Sequence, residues 1–532
     1  MNFFQNILPV LMLVCFSFSV KAQFFFNENT FKLGKVFHLL QNYYVDTINT
    51  NRLTEKVIVE MLRQLDPHSA YIPKEEVKEM NEPLEGNFEG IGVTFNLLND
   101  TIFVISPISG GPSEKVGIQP GDRIIKIEGE NVAGVNISNK GVRSRLLGKK
   151  GTKVTIEVIR RGVPGLLEFT IVRDKIPIYS IDASFMINDS IGYIRLNRFS
   201  LTTIDEYIKA FRMLQGKNMK HLLLDLTGNG GGYLEVAVKL ADQFLEDTKI
   251  IVYTQGEHAG KYEYKASREG NFEQGKLVVL IDEGSASASE IVAGAIQDWD
   301  RGVIVGRRSF GKGLVQRPFD LPDSSQLRLT IARYYTPSGR CIQKPYGAGF
   351  VDYAQDLNKR YEKGEYLSQD NIHLVDSLKY FTLKGKRTVY GGGGIMPDIF
   401  VPLDTSFVSD FYRKLLGKGL LNRFALEYTD VQRKNILTKY SDFASFNNGF
   451  FVDKELLDKL LLFAKKEKIE PKEKELEKSL EQISILLKAY IARDVWTNSE
   501  FYEVYNRKDP IVSKAVEILI NPKVYDAVIS KK

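Results

Sequence analysis

Across residues 191–400, short runs of β-forming hydrophobic residues (IGYIRL, HLLLDL, KLVVLID, GVIVG, LRLTIARYY) alternate with stretches at helical spacing, residues 204–214, 234–245 and 289–296. A pattern that keeps switching between the strand period and the helix period commits a chain to strands linked by helices, with the helices covering the faces of a sheet. This part is expected to be an α/β core. Three of its β runs end in small residues that expose the backbone: Asp225-Leu226-Thr227-Gly228-Asn229-Gly230-Gly231-Gly232, then Gly284-Ser285-Ala286-Ser287-Ala288-Ser289-Glu290, then Ser309-Phe310-Gly311-Lys312-Gly313. The first two open helices. Strand ends that run into helix N-termini present unpaired N–H groups and favour developing negative charge, so the core is expected to stabilise an oxyanion.

An oxyanion site needs a nucleophile and a base. Ser285, Ser287 and Ser289 all qualify by composition; Ser289 followed by Glu290 also reads as a helix cap, and Ser285 after Gly284 as a turn residue. Only five His occur (His38, His68, His221, His258, His373). Neither His221 nor His258 sits in a triad motif, and there is no Gly-x-Ser-x-Gly elbow. Lys312, flanked by glycines and by the apolar residues 303–305 and 314–315, offers another route, because a desolvated ammonium can lose its proton and accept one from serine.

The rest of the 532-residue chain has a different texture. Residues 31–77 carry apolar positions at helical spacing, interrupted at Asp66-Pro67. Residues 86–177 hold short β runs at 101–105, 123–127 and 153–159 between Gly, Pro and Asn turns, a separate small β-rich domain. In it, Glu89-Gly90-Ile91-Gly92-Val93 forms a candidate nest of N–H groups beside a strand edge, suited to a peptide's terminal carboxylate. Residues 345–390 lack periodicity and are expected to be an insertion or flap. Gly391 to Gly394, with no Lys-Ser/Thr or helix start after it, is expected to be a tight turn rather than a phosphate loop. After about residue 403 the chain is helical and rich in Lys and Glu, and the interleaved charges of residues 464–491 predict a solvated surface helix.

Composition excludes several classes. Two cysteines, Cys15 and Cys341, rule out a disulfide framework, and they and the five histidines rule out zinc-finger arrays. A net charge of +6 over this length gives no field on the scale that nucleic acid requires. Residues 7–20 form an apolar run shorter than the roughly 20 residues that span a bilayer, followed by Val20-Lys21-Ala22-Gln23. This predicts an export signal cleaved after Ala22, with the periplasm as destination, or a membrane anchor if the signal stays uncleaved. Val14 before Cys15 is too bulky for a lipidation site.

The segment Gly111-Pro112-Ser113-Glu114-Lys115-Val116-Gly117-Ile118-Gln119-Pro120-Gly121-Asp122-Arg123-Ile124-Ile125-Lys126-Ile127 resembles the PDZ signature, which makes Gly90, Ile91, Gly92 and Val93 the implied carboxylate-binding loop. From Leu65-Asp66-Pro67-His68-Ser69 to Gly394-Ile395-Met396-Pro397-Asp398-Ile399 the chain resembles the carboxyl-terminal processing peptidases, tail-specific S41 serine proteases with a PDZ domain and a Ser-Lys pair. The resemblance implies that Ser287 is the nucleophile, Lys312 the base and Gln316 the residue that orients the lysine. It implies an oxyanion hole from Ala288 and a glycine of the Gly231, Gly232 run, and a supporting or structural Asp298. Thr227 stands where the family often has Arg, which puts a local ion pair in doubt.

The fold implied is multidomain α/β: a PDZ domain placed before a crotonase-like α/β protease core, flanked by helical N- and C-terminal regions. The expected boundaries are a signal at 1–22, helices at 23–85, the PDZ domain at 86–177, the peptidase core at 178–404 and a helical region at 405–532. The function implied is an exported serine endopeptidase that binds substrate C-termini through the PDZ domain, with no metal or cofactor required. The helical termini are candidates for a homodimer contact or an adaptor. Two rivals are an inactive PDZ scaffold that presents exported proteins to another protease, and a crotonase-like acyl-transfer enzyme. The Ser287, Lys312 and Gln316 set disfavours the first, and the PDZ segment and lack of a CoA-binding feature disfavour the second.

Overall fold

The computed structural model describes residues 27–267 and 270–530, so the predicted export signal lies outside the described residues. The chain divides into two compact units, residues 1–71 and 72–532. In the first, helices Glu28–Tyr43 and Thr50–Arg63 start at Asn27 and Asn49, whose side chains accept the N–H groups of Thr30 and Arg52. These are N-caps that satisfy donors the helix itself leaves open. The Asp66-Pro67-His68-Ser69 break is a side-chain-held turn: Asp66 Oδ1 accepts from the N–H groups of His68 (2.8 Å) and Ser69 (2.9 Å).

In the second unit, the PDZ fold is an antiparallel sheet in the order Val93–Leu98, Thr101–Pro107, Arg123–Ile127, Lys153–Ile159, Leu167–Val172. Alternate residues point inward, so Ile102, Val104, Ile124, Val154, Ile156, Val158 and Ile171 meet in one core with Val142 of helix Asn139–Leu146. Strand Asn87–Gly90 pairs with Asp174–Pro177, which closes the domain where the chain enters and leaves it. Val93–Leu98 ends the strand order with one free side, and beside it lies a cavity of about 420 Å³ lined by Ile91, Gly92, Val93, Phe95 and Leu146.

The α/β core is a six-stranded sheet in the order Ile181–Met186, Ile191–Leu196, His221–Asp225, Leu277–Ile281, Val303–Gly306, Ile399–Phe400; the first pair is antiparallel and the rest parallel. Parallel strands bury both faces, which is why their sequences are unbroken apolar runs. Helices Thr203–Gly216, Leu234–Asp242 and Ala288–Asp298 pack in one cluster against one face. The other face, with Leu223, Val278, Leu280, Val303 and Val305, is covered by Ile511, Val512, Ala515, Ile518, Leu519 and Tyr525 from helices Pro510–Ile520 and Pro522–Ile529 near the chain's end. A separate antiparallel sheet contains strands Ile250–Gln255, Tyr262–Lys265, Leu314–Asp320 and Gln326–Tyr335.

The C-terminal region corrects one expectation. Helix Glu475–Val495 is not a solvated surface helix: Ile483, Leu486, Leu487, Ala489, Ile491 and Ala492 are buried in a core shared with Phe411, Leu415, Leu421 and Leu460. The Lys/Glu run occupies the linker and the first turns, while the apolar residues of the later turns fall on a stripe at three- and four-residue spacing. The same region holds the PDZ domain, where Leu426 packs on Leu98 and Phe103, and the buried Asp430 carboxylate accepts from Arg123 (2.9 Å) and Arg161 (2.8 Å).

Candidate active site

The three glycine- and serine-rich loops come together at one end of the parallel sheet, and their hydrogen bonds separate the three candidate serines. Ser285 is fully buried and its hydroxyl donates to Leu226 O (2.8 Å); Ser289 is fully buried and donates to Asn229 O (2.9 Å). Both hold the glycine-rich loop to the serine loop. Ser287 is half-buried and precedes helix Ala288–Asp298 with φ 56° and ψ −112°. A serine held at positive φ costs on the order of 1–3 kcal/mol and persists only where surrounding structure enforces it.

What enforces it is a carboxylate that reads in sequence only as a helix cap. Glu290 is fully buried, and Oε2 accepts the N–H groups of Ser287 (2.8 Å) and Lys312 (2.9 Å). Its Oε1 accepts the Gly311 N–H (2.7 Å) and the Ser309 hydroxyl (2.5 Å), whose own oxygen accepts from Ile395 N–H (2.6 Å). The loop of Ser287 and the loop of Lys312 are thus fastened to one group. Tyr334 reinforces the link, its hydroxyl lying within hydrogen-bond distance of the Lys312 carbonyl and 3.1 Å from that of Ser287.

Lys312 is half-buried and its Nζ donates to Gln316 Oε1 at 3.2 Å. Gln316 lies on strand Leu314–Asp320, and the register of that strand with Gln326–Tyr335 shifts between Val315 and Gln316. Such an irregularity re-aims a side chain. This acceptor is uncharged, so its bond orients the ammonium without adding the charge of a carboxylate.

Gly231 abuts the serine: a Cβ at this position would lie 2.8 Å from Ser287 Cβ and 3.0 Å from Ala288 N, and its φ of +101° already favours glycine. Its N–H donates to Asn229 Oδ1 (2.9 Å), whereas the N–H groups of Ala288 and Gly232 have no partner among the described residues. Asn229 is a second residue that the sequence reading passed over. It is fully buried, its Nδ2 donates to Leu196 O (2.8 Å), and its carbonyl accepts from Ala286 N–H (2.9 Å).

The ion pair placed in doubt by Thr227 is supplied from the neighbouring strand. Arg195 donates to Asp225 and to Thr227 Oγ1 (2.7 Å), while Thr227 N–H and hydroxyl donate back to Asp225 Oδ1 (2.8 and 2.7 Å). Asp298 sits at the far end of the Ser287 helix in a fully buried pair with Arg340 (2.7 Å) and also accepts Ser338 N–H (2.9 Å). In the PDZ domain, Gly92 has φ +73°, the Ile91 carbonyl accepts the Ser113 hydroxyl (2.6 Å), and the Ile91 and Gly92 N–H groups have no partner among the described residues. Gly391 to Gly394 is the expected turn, packed so that a Cβ at Gly394 would lie 2.6 Å from Ser309 O.

Burial pushes the Glu290 carboxyl up to about 7, opposed by the donors around it. Its folded value lies above the ordinary value of 4.5, so its contribution to stability is present below that value and lost as pH rises through about 7. The ionised form is nevertheless the one that four donors suit. Glu290→Gln is therefore expected to flatten the wild type's fall in melting temperature between pH 5 and 8. It should also lower activity at least about tenfold, because an amide N–H₂ meets donors where an oxygen accepted. Calorimetry across that pH range and a proteolysis assay check both; an unchanged pH profile of stability together with full activity would refute the role.

Models of known families match three segments: a PDZ domain over residues 90–171, peptidase family S41 over 190–350, and a family of unknown function over 411–497. The carboxy-terminal-processing protease of Bartonella bacilliformis is 37% identical over 405 residues, spanning 74% of this chain and 90% of that protein. The carboxy-terminal processing protease CtpA of Bacillus subtilis is 36% identical over 344 residues, 63% of this chain and 73% of that one. Among solved structures, a photosystem II D1 C-terminal processing protease is 29% identical, with a TM-score of 0.35, over 59% of this chain and 84% of that one. With a PDZ fold ahead of an α/β peptidase core, and a relative matched along nine-tenths of its length, the chain belongs to peptidase family S41, the carboxy-terminal processing proteases.

Proposed function

We propose that the protein is an exported endopeptidase whose Ser287 and Lys312 form a catalytic dyad, with Gln316 orienting the lysine and the PDZ domain capturing substrate C-termini. The observation that carries this reading is the shared Glu290 carboxylate, which ties the N–H of the one half-buried serine of the cluster to the N–H of Lys312. Neutral Lys312 takes the Ser287 hydroxyl proton as Oγ bonds to the scissile carbonyl carbon. The oxyanion is held by the N–H of Ala288 and one from the glycine run: that of Gly232, or that of Gly231 once it turns from Asn229. The lysine then gives its proton to the leaving amine as the C–N bond breaks. Water attacks the acyl-enzyme in the reverse sense, passing its proton through Lys312, and releases the product acid. Asp298 supports this from a distance, by fixing the end of the Ser287 helix through Arg340.

A serine-reactive phosphonate should label Ser287 in the wild type, and Ser287→Ala and Lys312→Ala should each lose hydrolysis of unfolded β-casein by about a thousandfold or more. Label on Ser285 or Ser289, or full activity in either variant, overturns the dyad.

For substrate capture, the free side of Val93–Leu98 would take an extended chain as an added strand, while the Gly90, Ile91, Gly92, Val93 loop receives the terminal carboxylate. The cavity beside it, with Phe95 and Leu146, suits an apolar last residue. A peptide ending in a free carboxylate should bind at least about tenfold more tightly than its C-terminal amide, measured by fluorescence anisotropy with Ser287→Ala protein. Equal affinities would reject the loop as the carboxylate site.

Export rests on residues 1–22, whose apolar run precedes Ala22. No helix of the described residues is long and apolar enough to cross a membrane. Purified from the periplasm, the mature protein should begin at Gln23 by N-terminal sequencing; an intact Met1 would indicate an anchor instead.

A further inference from the structure

The segment after Pro345, whose role the sequence leaves unread, reaches the loop that carries Lys312. Helix Asp356–Glu362 places Arg360, 3% exposed, so that Nη1 donates to Ser309 O (3.0 Å) and Nη2 to Arg308 O (2.8 Å). Glu365, also buried, accepts from Arg308 Nη2 at 2.5 Å and pairs its charge with Arg360, its Oε2 lying 3.3 Å from Arg360 Nε. A few residues earlier, Tyr353 of helix Phe350–Ala354 meets Phe310 edge to face (6.0 Å between ring centres). The Lys344 ammonium lies 4.0 Å from the centre of the Phe310 ring and 4.1 Å from that of Tyr353, and donates to Asp356 (2.9 Å). The Lys344 N–H also donates to Gly311 O (2.9 Å).

The loop from Arg308 to Gly313 is therefore held through two chemically opposite sets of groups. Its N–H groups at Gly311 and Lys312, and the Ser309 hydroxyl, go to Glu290. Its carbonyls at Arg308 and Ser309 go to Arg360. A planar guanidinium grips two successive carbonyls with donors in a fixed fork, whereas an ammonium is a flexible point charge without that preset geometry. Buried arginine is costly unless its donors are used, and the two hydrogen bonds that Arg360 makes both go to this loop.

We infer that Arg360, oriented by Glu365, is a positioning residue for Lys312: it clamps the lysine's loop against the Glu290 carboxylate and so holds the base in register with Ser287. The inference rests on Lys312 being the base. Without the clamp the loop keeps its Glu290 bonds and the contacts of Lys344 and Tyr334 to the carbonyls of Gly311 and Lys312, but the carbonyls of Arg308 and Ser309 lose their hold and the placement of the lysine relative to Ser287 loosens. Substrate binding by the PDZ groove is untouched.

The test compares wild type, Arg360→Ala, Arg360→Lys and Glu365→Gln for β-casein hydrolysis and for the rate of phosphonate labelling at Ser287. Arg360→Ala should lower kcat and the labelling rate by roughly ten- to a hundredfold, as expected for a reacting group displaced by about 1 Å. KM should stay within about twofold, and Arg360→Lys should recover only part of the loss, since an ammonium lacks the rigid planar fork and the Nε–H that faces Glu365. An Arg360→Ala protein that melts earlier yet keeps wild-type kcat and labelling would overturn the proposal. If that variant does not fold, Glu365→Gln, which keeps the volume and removes the orienting charge, decides by the same two rates. Lys312→Ala distinguishes the levels: full hydrolysis in that variant defeats the assignment of the base, whereas an inactive Lys312→Ala beside a fully active Arg360→Ala defeats the clamp alone.

Discussion

The catalytic end of this molecule depends on one buried carboxylate. Glu290 accepts four hydrogen bonds, and the donors come from two loops separated in sequence, one carrying Ser287 and one carrying Lys312. Desolvating a carboxylate is expensive unless every lone-pair direction is used. Here its donors are the segments whose relative placement the proposed Ser287 and Lys312 dyad requires, so the group's own solvation demand holds the two loops together. The strained backbone at Ser287 follows from it, because the loop bends where the N–H must reach Oε2. Stability and function pull on this group in opposite senses, since burial favours the neutral acid while the arrangement is built for the anion.

Around that centre each surface of the core is supplied by a different stretch of chain. One face of the parallel sheet is covered by the helices between its own strands, the other by the chain's last helices. At the strand ends, Asp225 pairs with Arg195 beside Thr227. The guanidinium arrives from the adjacent strand, where Arg195 pairs in register with Asp225. Arg195 also stacks on Tyr502 at 4.6 Å, so this pair joins the sheet to the C-terminal helices.

Much of the fold was legible because periodicity is a local property. The β runs of the core and of the PDZ domain are strands, and the helical stretches after Asp225 and Ser287 are helices, since unbroken apolar runs and three-to-four spacing each admit one buried arrangement. The motifs marked the three loops that meet at the sheet's end. What sequence could not supply was every relation between loops. Glu290 looks like a helix cap and does cap the helix, but its bonds to Ser309, Gly311 and Lys312 depend on a loop roughly twenty residues away. Asn229 looks like turn filler between glycines, Arg360 like one more surface cation, and the Glu475–Val495 helix like a charged rod until its later turns are counted. Polar residues carry no period, so their partners appear only when distant segments are folded together.

Helices Pro510–Ile520 and Pro522–Ile529 lie at the very end of the chain, yet they seal the apolar underside of the sheet that carries the active-site loops. Without them, Leu223, Val278, Leu280, Val303 and Val305 would face water, and a parallel sheet with one bare side is not a stable platform. The footing of the active-site loops is thus completed by two helices that lie far from them in sequence, so a change in that distant segment reaches the loops through the sheet.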